Sequence, residues 1–302
     1  MRVTNITAAL LLCAFASTGW AQEGPEPGAP PAEAIGDTPE PEMTFEYQTG
    51  DVMLPNKVAT LHLGERYRYM NPAETNRLLM AWGNPSNTDT QGAIVPAEVD
   101  PMAETGWAVI LNYEEEGHID DSDAKEIDYE ALLSDMKEGT AESNKERRKH
   151  DFPVVDLVGW AKPPHYDATS KKLFWAKELD FQDTDVNILN YDVRVLGREG
   201  VLSMNAVALM PQLQQVDTDM VPLIKTAEFN VGYRYADFDE STDKVAAYGL
   251  GALVAGAAAA KLGLFAKLGV FLMAFKKFIF IGLIGLGALV MKLLGRKKDA
   301  AT

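Results

Sequence analysis

The chain has a single cysteine, Cys13, and it lies inside an N-terminal apolar run. With that run expected to be removed, the mature protein has neither a disulfide framework nor a thiol nucleophile, so an apolar core must hold its fold. Histidine is nearly as scarce, at four residues, which leaves few general bases or imidazole ligands to consider. Basic side chains are short too: residues 22–240 hold 18 Lys and Arg against 42 Asp and Glu, a net charge of −24. A surface this acidic is repelled by nucleic-acid phosphates and by anionic lipid headgroups within a Debye length of about 8 Å. DNA and RNA are therefore excluded as partners. No catalytic, cofactor-binding or metal-ligating set is complete, so no site residue and no cofactor is assigned from sequence.

What is there begins with topology. Residues 1–21 combine the cation Arg2, a short apolar run, and small residues at Gly19 and Ala21 ahead of a cut before Gln22, the pattern of a secretory signal. Residues 22–43 are rich in Pro, Glu, Gly and Ala, the composition of an acidic, extended spacer. Residues 245–294 turn apolar and are closed by Lys292, Arg296, Lys297 and Lys298, which mark a cytoplasmic end. Residues 241–277 read as an Ala/Gly-rich juxtamembrane helix or a first span, and 278–294 as the transmembrane anchor; 295–302 is the basic tail. At 1.5 Å per residue the anchor reaches about 25 Å, enough to span with snorkelling lysines. Gly251 and Gly256 offer a small-residue helix face through which copies of the chain can pack as a homo-oligomer.

Residues 44–240 read as an α+β domain with antiparallel sheet and packed helices. Ala59, Leu61 and Leu63 alternate with Thr60 and His62 as a strand with His62 exposed. Asn71-Pro72-Ala73-Glu74 supplies an N-cap, a proline in the first turn and a capping acid, so a helix runs to about Trp82. Residues 107–113 are a nearly all-apolar interior strand. Residues 187–209 form a hairpin around Gly197-Arg198-Glu199-Gly200, with Leu189, Tyr191, Val193 and Val195 inward and Asn190, Asp192 and Arg194 on a solvated face. Residues 229–235 return to strand. Ile110-Leu111-Asn112-Tyr113-Glu114 echoes Ile188-Leu189-Asn190-Tyr191-Asp192, which allows two similar halves.

Two places concentrate chemistry. Gly117-His118-Ile119-Asp120-Asp121-Ser122-Asp123 gathers an imidazole and three carboxylates; His165 and Asp167 are two apart on a strand. A hydrolase or ligand-binding protein of the cell envelope would use His118 with Asp120 and Asp121, or His165 with Asp167, if these converge in one cleft. The plainer reading has the aspartates capping a helix whose core face is Ile127, Leu132, Leu133 and Met136. Asp237, Asp239, Ser241 and Asp243 lack the glycine and the acid of a calcium loop. Lys145, Arg147, Arg148 and Lys149 complement the carbonyl end of a helix.

The segments Trp82-Gly83-Asn84-Pro85, Gly159-Trp160-Ala161-Lys162-Pro163-Pro164-His165-Tyr166-Asp167, Leu173-Phe174-Trp175-Ala176-Lys177-Glu178-Leu179, the run from Leu189 through Arg198, and Gly232-Tyr233-Arg234-Tyr235-Ala236-Asp237-Phe238 together resemble an uncharacterised family of bacterial membrane-anchored proteins, a domain of unknown function. The resemblance implies an exported domain with a C-terminal membrane anchor, and no activity. The expectation is a periplasmic module of the inner membrane that binds or scaffolds an envelope protein partner, with the envelope hydrolase or ligand-binding reading as the alternative.

Overall fold

The computed structural model describes residues 43–84, 89–149, 152–182 and 184–255. The expected signal segment with Cys13, the spacer before residue 43, and Gly256 with the anchor and basic tail lie outside the described residues. Among the described residues no helix is long and apolar enough to cross a membrane.

A seven-stranded antiparallel sheet forms the middle layer. Its order is β3 (Tyr67–Met70), β4 (Gly92–Pro96), β5 (Ala108–Glu114), β9 (Val201–Leu209), β8 (Ile188–Leu196), β7 (Lys172–Phe181) and β6 (Val155–Asp167). A second sheet of three strands, β1 (Asp51–Met53), β2 (Ala59–His62) and β10 (Ala227–Phe229), lies on one face with helix α3 (Leu213–Leu223). Leu189, Tyr191, Val193 and Val195 point into this interface and meet Leu61, Phe229, Val216 and Met220. The predicted inward set of the hairpin is therefore the main core. On the opposite face, α1 (Pro72–Ala81) covers the β3–β5 end through Leu78 and Leu79. Helices α2 (Tyr129–Lys149) and α4 (Leu250–Ala255) cover the other end, over Leu173, Trp175, Leu196 and Val201.

Helix α1 starts where its sequence says, with the Asn71 side chain accepting from the Glu74 backbone N–H at 3.0 Å. Asn71→Ala is expected to lower stability by about 1 kcal/mol, measured as a shift of the urea midpoint with an unchanged slope. His62 sits exposed on β2 and bonds Asp51 at 2.8 Å. The two echoing pentapeptides lie in β5 and β8, which flank β9 within one continuous sheet, so they do not build separate halves.

Strand β6 runs through Pro163 and Pro164, which an interior strand could not tolerate. It is tolerated here because β6 is an edge strand, with its register shifting between Leu157 and Gly159, Trp160 and Lys162, and Lys162 and His165. At its start the Asn144 amide accepts from Val155 N at 3.1 Å and donates to Val155 O at 2.8 Å, standing in for a further strand. The basic end of α2 is divided in the same structural way. Arg147 is buried and donates to Pro153 O, while Lys145 and Lys149 pair with Glu142 and Glu146.

The strand expected over 229–235 stops at Phe229. Asp237 Oδ2 accepts from Gly232 N at 2.8 Å and Arg234 N at 3.0 Å, which folds the chain into a loop about Gly232 at φ +92° and leaves Val231 exposed. From this loop onward residues 230–255 form a strap laid back over the domain.

Candidate functional site

The strap is received by the loop after β5. Gly117 has φ +102°, and a Cβ there would stand 2.7 Å from Lys244 O, so only glycine admits the close approach. Next to it, His118 N donates to Lys244 O and Ala246 N donates to His118 O, both at 2.8 Å. The His118 ring is buried, stacked on Phe238 at 3.8 Å and against Tyr235 at 4.2 Å. Burial pushes its pKa down, against a backbone hydrogen bond at Arg198 and the charges of Asp120, Asp121 and Asp243; Nδ1 has no hydrogen-bond partner.

The carboxylates of the loop do not cap α2; Asp128 does, accepting from Glu130 N and Ala131 N. Asp120 accepts from Ser122 N at 2.7 Å and closes a local turn. Asp121 is a hub. Its Oδ2 accepts from Tyr166 at 2.6 Å and Lys171 at 2.7 Å, and its Oδ1 from Tyr235 at 3.1 Å. Lys171 Nζ also lies 4.7 Å from the centre of the Tyr235 ring. Burial alone would raise the Asp121 carboxyl, but the hydrogen bonds from Lys171 and Tyr166 and the lysine charge hold it below its ordinary value. Burial and the ionised Asp121 together push the Tyr166 phenol well up. Asp123 Oδ1 accepts from Leu250 N at 3.2 Å, and a Cβ on Gly249 would meet the same carboxylate at 2.3 Å, so Asp123 starts α4 rather than α2.

Further along the strap the four oxygen-bearing residues diverge. Asp237 holds the 232–234 loop, Asp239 bonds Ser241, and Asp243 takes Arg198 in a two-pronged pair at 2.7 and 2.8 Å. Arg198 comes from the turn of the β8–β9 hairpin, so the strap is tied to the middle of the large sheet. Leu250, Leu253 and Val254 then enter the core among Ile119, Leu173 and Trp175. A Cβ on Gly251 would rest 3.8 Å from Ile127 of the same chain, an ordinary contact, while Gly256, the other glycine of the expected packing face, lies outside the described residues.

His165 and Asp167 are separate from all this. His165 is exposed on β6, and Asp167 accepts from Thr169 N and Ser170 Oγ to shape the β6–β7 turn. His165 lies exposed while His118 is buried against Tyr235 and Phe238, so among the described residues the two candidate acid–base sets do not meet in one cleft. A shallow groove of about 480 Å³ lies instead between β6 and α3, lined by Ala161, Lys162, Pro211, Leu213, Gln214 and Asp217. In it Asp217 Oδ1 accepts from Tyr191 at 2.8 Å and pairs with Lys162.

The largest surprise is the face assigned to solvent. Asn190, Asp192, Ser203 and Asn205 are buried in mid-sheet, between the core under α1 and the core under α2 and α4. Asp192 lies 3.1 Å from Lys177 Nζ and 3.1 Å from Arg194 Nη1, and Asn205 donates to it at 2.9 Å. Burial would raise this carboxyl; the charges of Lys177 and Arg194 overcome it and keep it ionised, below its ordinary range. Arg194 also packs over Trp175, its guanidinium 5.1 Å from the ring centre. Nothing in a strand's alternation distinguishes a wet face from a buried polar one.

Fold and site together give a two-sheet antiparallel α+β domain in which Asp121, Asp123 and Arg198 hold the strap of residues 230–255, with no convergent acid–base set among the described residues. The chain belongs to the family described as Protein of unknown function (DUF2167), whose profile matches residues 46–287. No curated protein matches it. Solved structures with a likeness include the Saccharomyces cerevisiae Ran-binding protein Mog1p, 10% identical over 65% of this chain and 100% of that one, with a TM-score of 0.36. Another is cyanobacterial PsbP (CyanoP) from Synechocystis sp. PCC 6803, 5% identical over 65% of this chain and 99% of that one, also at 0.36.

Proposed function

We propose that the protein is a membrane-held module of the bacterial cell envelope that binds or scaffolds another envelope protein, its domain in the periplasm and its basic tail in the cytoplasm. The observation that supports this reading is the strap. The last described residues before the apolar stretch continues, Leu250, Leu253 and Val254, are packed in the domain's own core, so the domain's packing and the stretch proposed to hold the membrane are continuous in sequence. A domain tied to the membrane by its own chain suits capture of a neighbouring protein better than diffusional turnover of a small substrate. The surface charge of −24 over residues 22–240 keeps it off anionic headgroups and nucleic acid.

The groove beside β6 is the proposed contact. A photoreactive residue in place of Gln214, in the chain expressed in its own cells, is expected to give one discrete protein adduct. The same residue in place of Met53, which is exposed on the far sheet, should not give that adduct. Adducts of equal yield from both positions, or lipid adducts alone, would count against the reading.

A further inference from the structure

We infer that His118 is an acid-sensitive latch on the strap, open when the imidazole is protonated and closed when it is neutral. This goes beyond partner binding and holds whichever protein the domain takes. One residue supplies both backbone bonds that fasten Lys244 and Ala246, and its ring fills the space between Tyr235 and Phe238, two strap residues. With Nδ1 buried and unpartnered, a second ring proton would have no acceptor, and an imidazolium would be sealed between aromatic faces away from water.

The charges around the ring do not rescue the cation. From its own loop, Asp121 is already engaged by Lys171, Tyr166 and Tyr235, and Asp120 is turned to Ser122. From the strap, Asp243 is spent on Arg198, and from the β8–β9 turn Arg198 and from the β6–β7 turn Lys171 bring positive charge toward the same region. The closed-state pKa is accordingly lowered, as its burial requires. The released ring thus binds a proton more tightly than the closed one. Closure is therefore fully favoured above the free-imidazole value of about 6.5 and weakens as pH falls through and below it. Hydrogen bonds hold Asp239 and Asp243 of the strap below the ordinary carboxylate range, so they stay ionised over that window and histidine is the group that responds.

The test is hydrogen exchange on the full chain in detergent micelles, followed by mass spectrometry on peptides covering residues 231–250 and corrected for the intrinsic pH dependence. Between pH 7.5 and 5.5, strap protection is expected to fall by up to about tenfold, the most that a ring with a released value of about 6.5 can give one unit below it, while peptides of the 188–209 hairpin keep theirs. His118→Phe preserves the stack and cannot titrate, so its strap should stay equally protected at both values. An unchanged pH response in H118F overturns the proposal. If H118F misfolds, the ring proton of His118 in the unaltered protein decides by NMR: titration at or above about 6.5 overturns the latch, and titration below it supports it. None of these readouts depends on capture of a partner, so they fail or succeed separately from the proposed function.

Discussion

Asp192→Ala is expected to cost about 3–5 kcal/mol of folding stability, the usual result of removing one member of a buried charge cluster. The cost comes from what stays behind. Lys177 and Arg194 keep their charges without a counter-ion, and the Asn205 amide loses its acceptor in the middle of the sheet. Urea unfolding followed by tryptophan fluorescence measures it, because Trp175 lies directly across from Asp192. The effect should depend on pH. The carboxyl is depressed in the folded state, so its contribution is complete above the unfolded value of about 3.9 and is lost as pH falls through the folded one. The gap between wild type and variant therefore narrows in strong acid. A loss below about 1 kcal/mol at neutral pH would mean that the cluster is hydrated after all.

Gly117→Ala should act on the strap and leave the sheet intact. A side chain at φ +102° carries a backbone penalty of roughly 1–3 kcal/mol, and its Cβ would press on the Lys244 carbonyl. The closed strap bears that cost and the open one does not, so the open population should rise roughly 5- to 150-fold. Tryptic cleavage after the exposed Lys244 reports it, since cleavage follows the open population when reclosing is fast. Far-UV circular dichroism should be unchanged. Equal cleavage rates in the two proteins would show that the strap is not held at this glycine.

Both effects fall where the sequence was hardest to read. The hairpin from Ile188 to Leu209 and the capped helix α1 were legible, because strict alternation and an Asn-Pro-Ala-Glu start are local signals that local forces satisfy. The burial of Asp192 was not, since it depends on α1 and α2, distant in sequence, covering the two ends of one sheet face. The end of β10 was hidden for a related reason: Val231 and Tyr233 look like strand until Asp237 diverts their backbone. Residues 245–255 show the deepest ambiguity. Hydropathy says that Leu250, Leu253 and Val254 avoid water, but an apolar side chain does not record whether protein or lipid surrounds it. Of the site, the crowding of His118, Asp120 and Asp121 was visible. Their partners Tyr166, Lys171, Tyr235 and Phe238 come from segments that only the fold brings together.

The three-stranded sheet has a further meaning when the chain is followed in the order of its synthesis. Strand β2 is the middle strand of that sheet, with β1 on one side close by in sequence and β10 on the other, where Ala59 meets Phe229. Until residue 229 has emerged, β2 keeps an open edge and the large sheet lacks part of the layer that covers Tyr191 and Val193. A nascent chain in this state is the kind of intermediate that needs protection from association. Completion arrives with β10 and the strap, immediately ahead of the apolar stretch, so the last step in finishing the domain and the first encounter of that stretch with its surroundings fall within the same few seconds of chain growth.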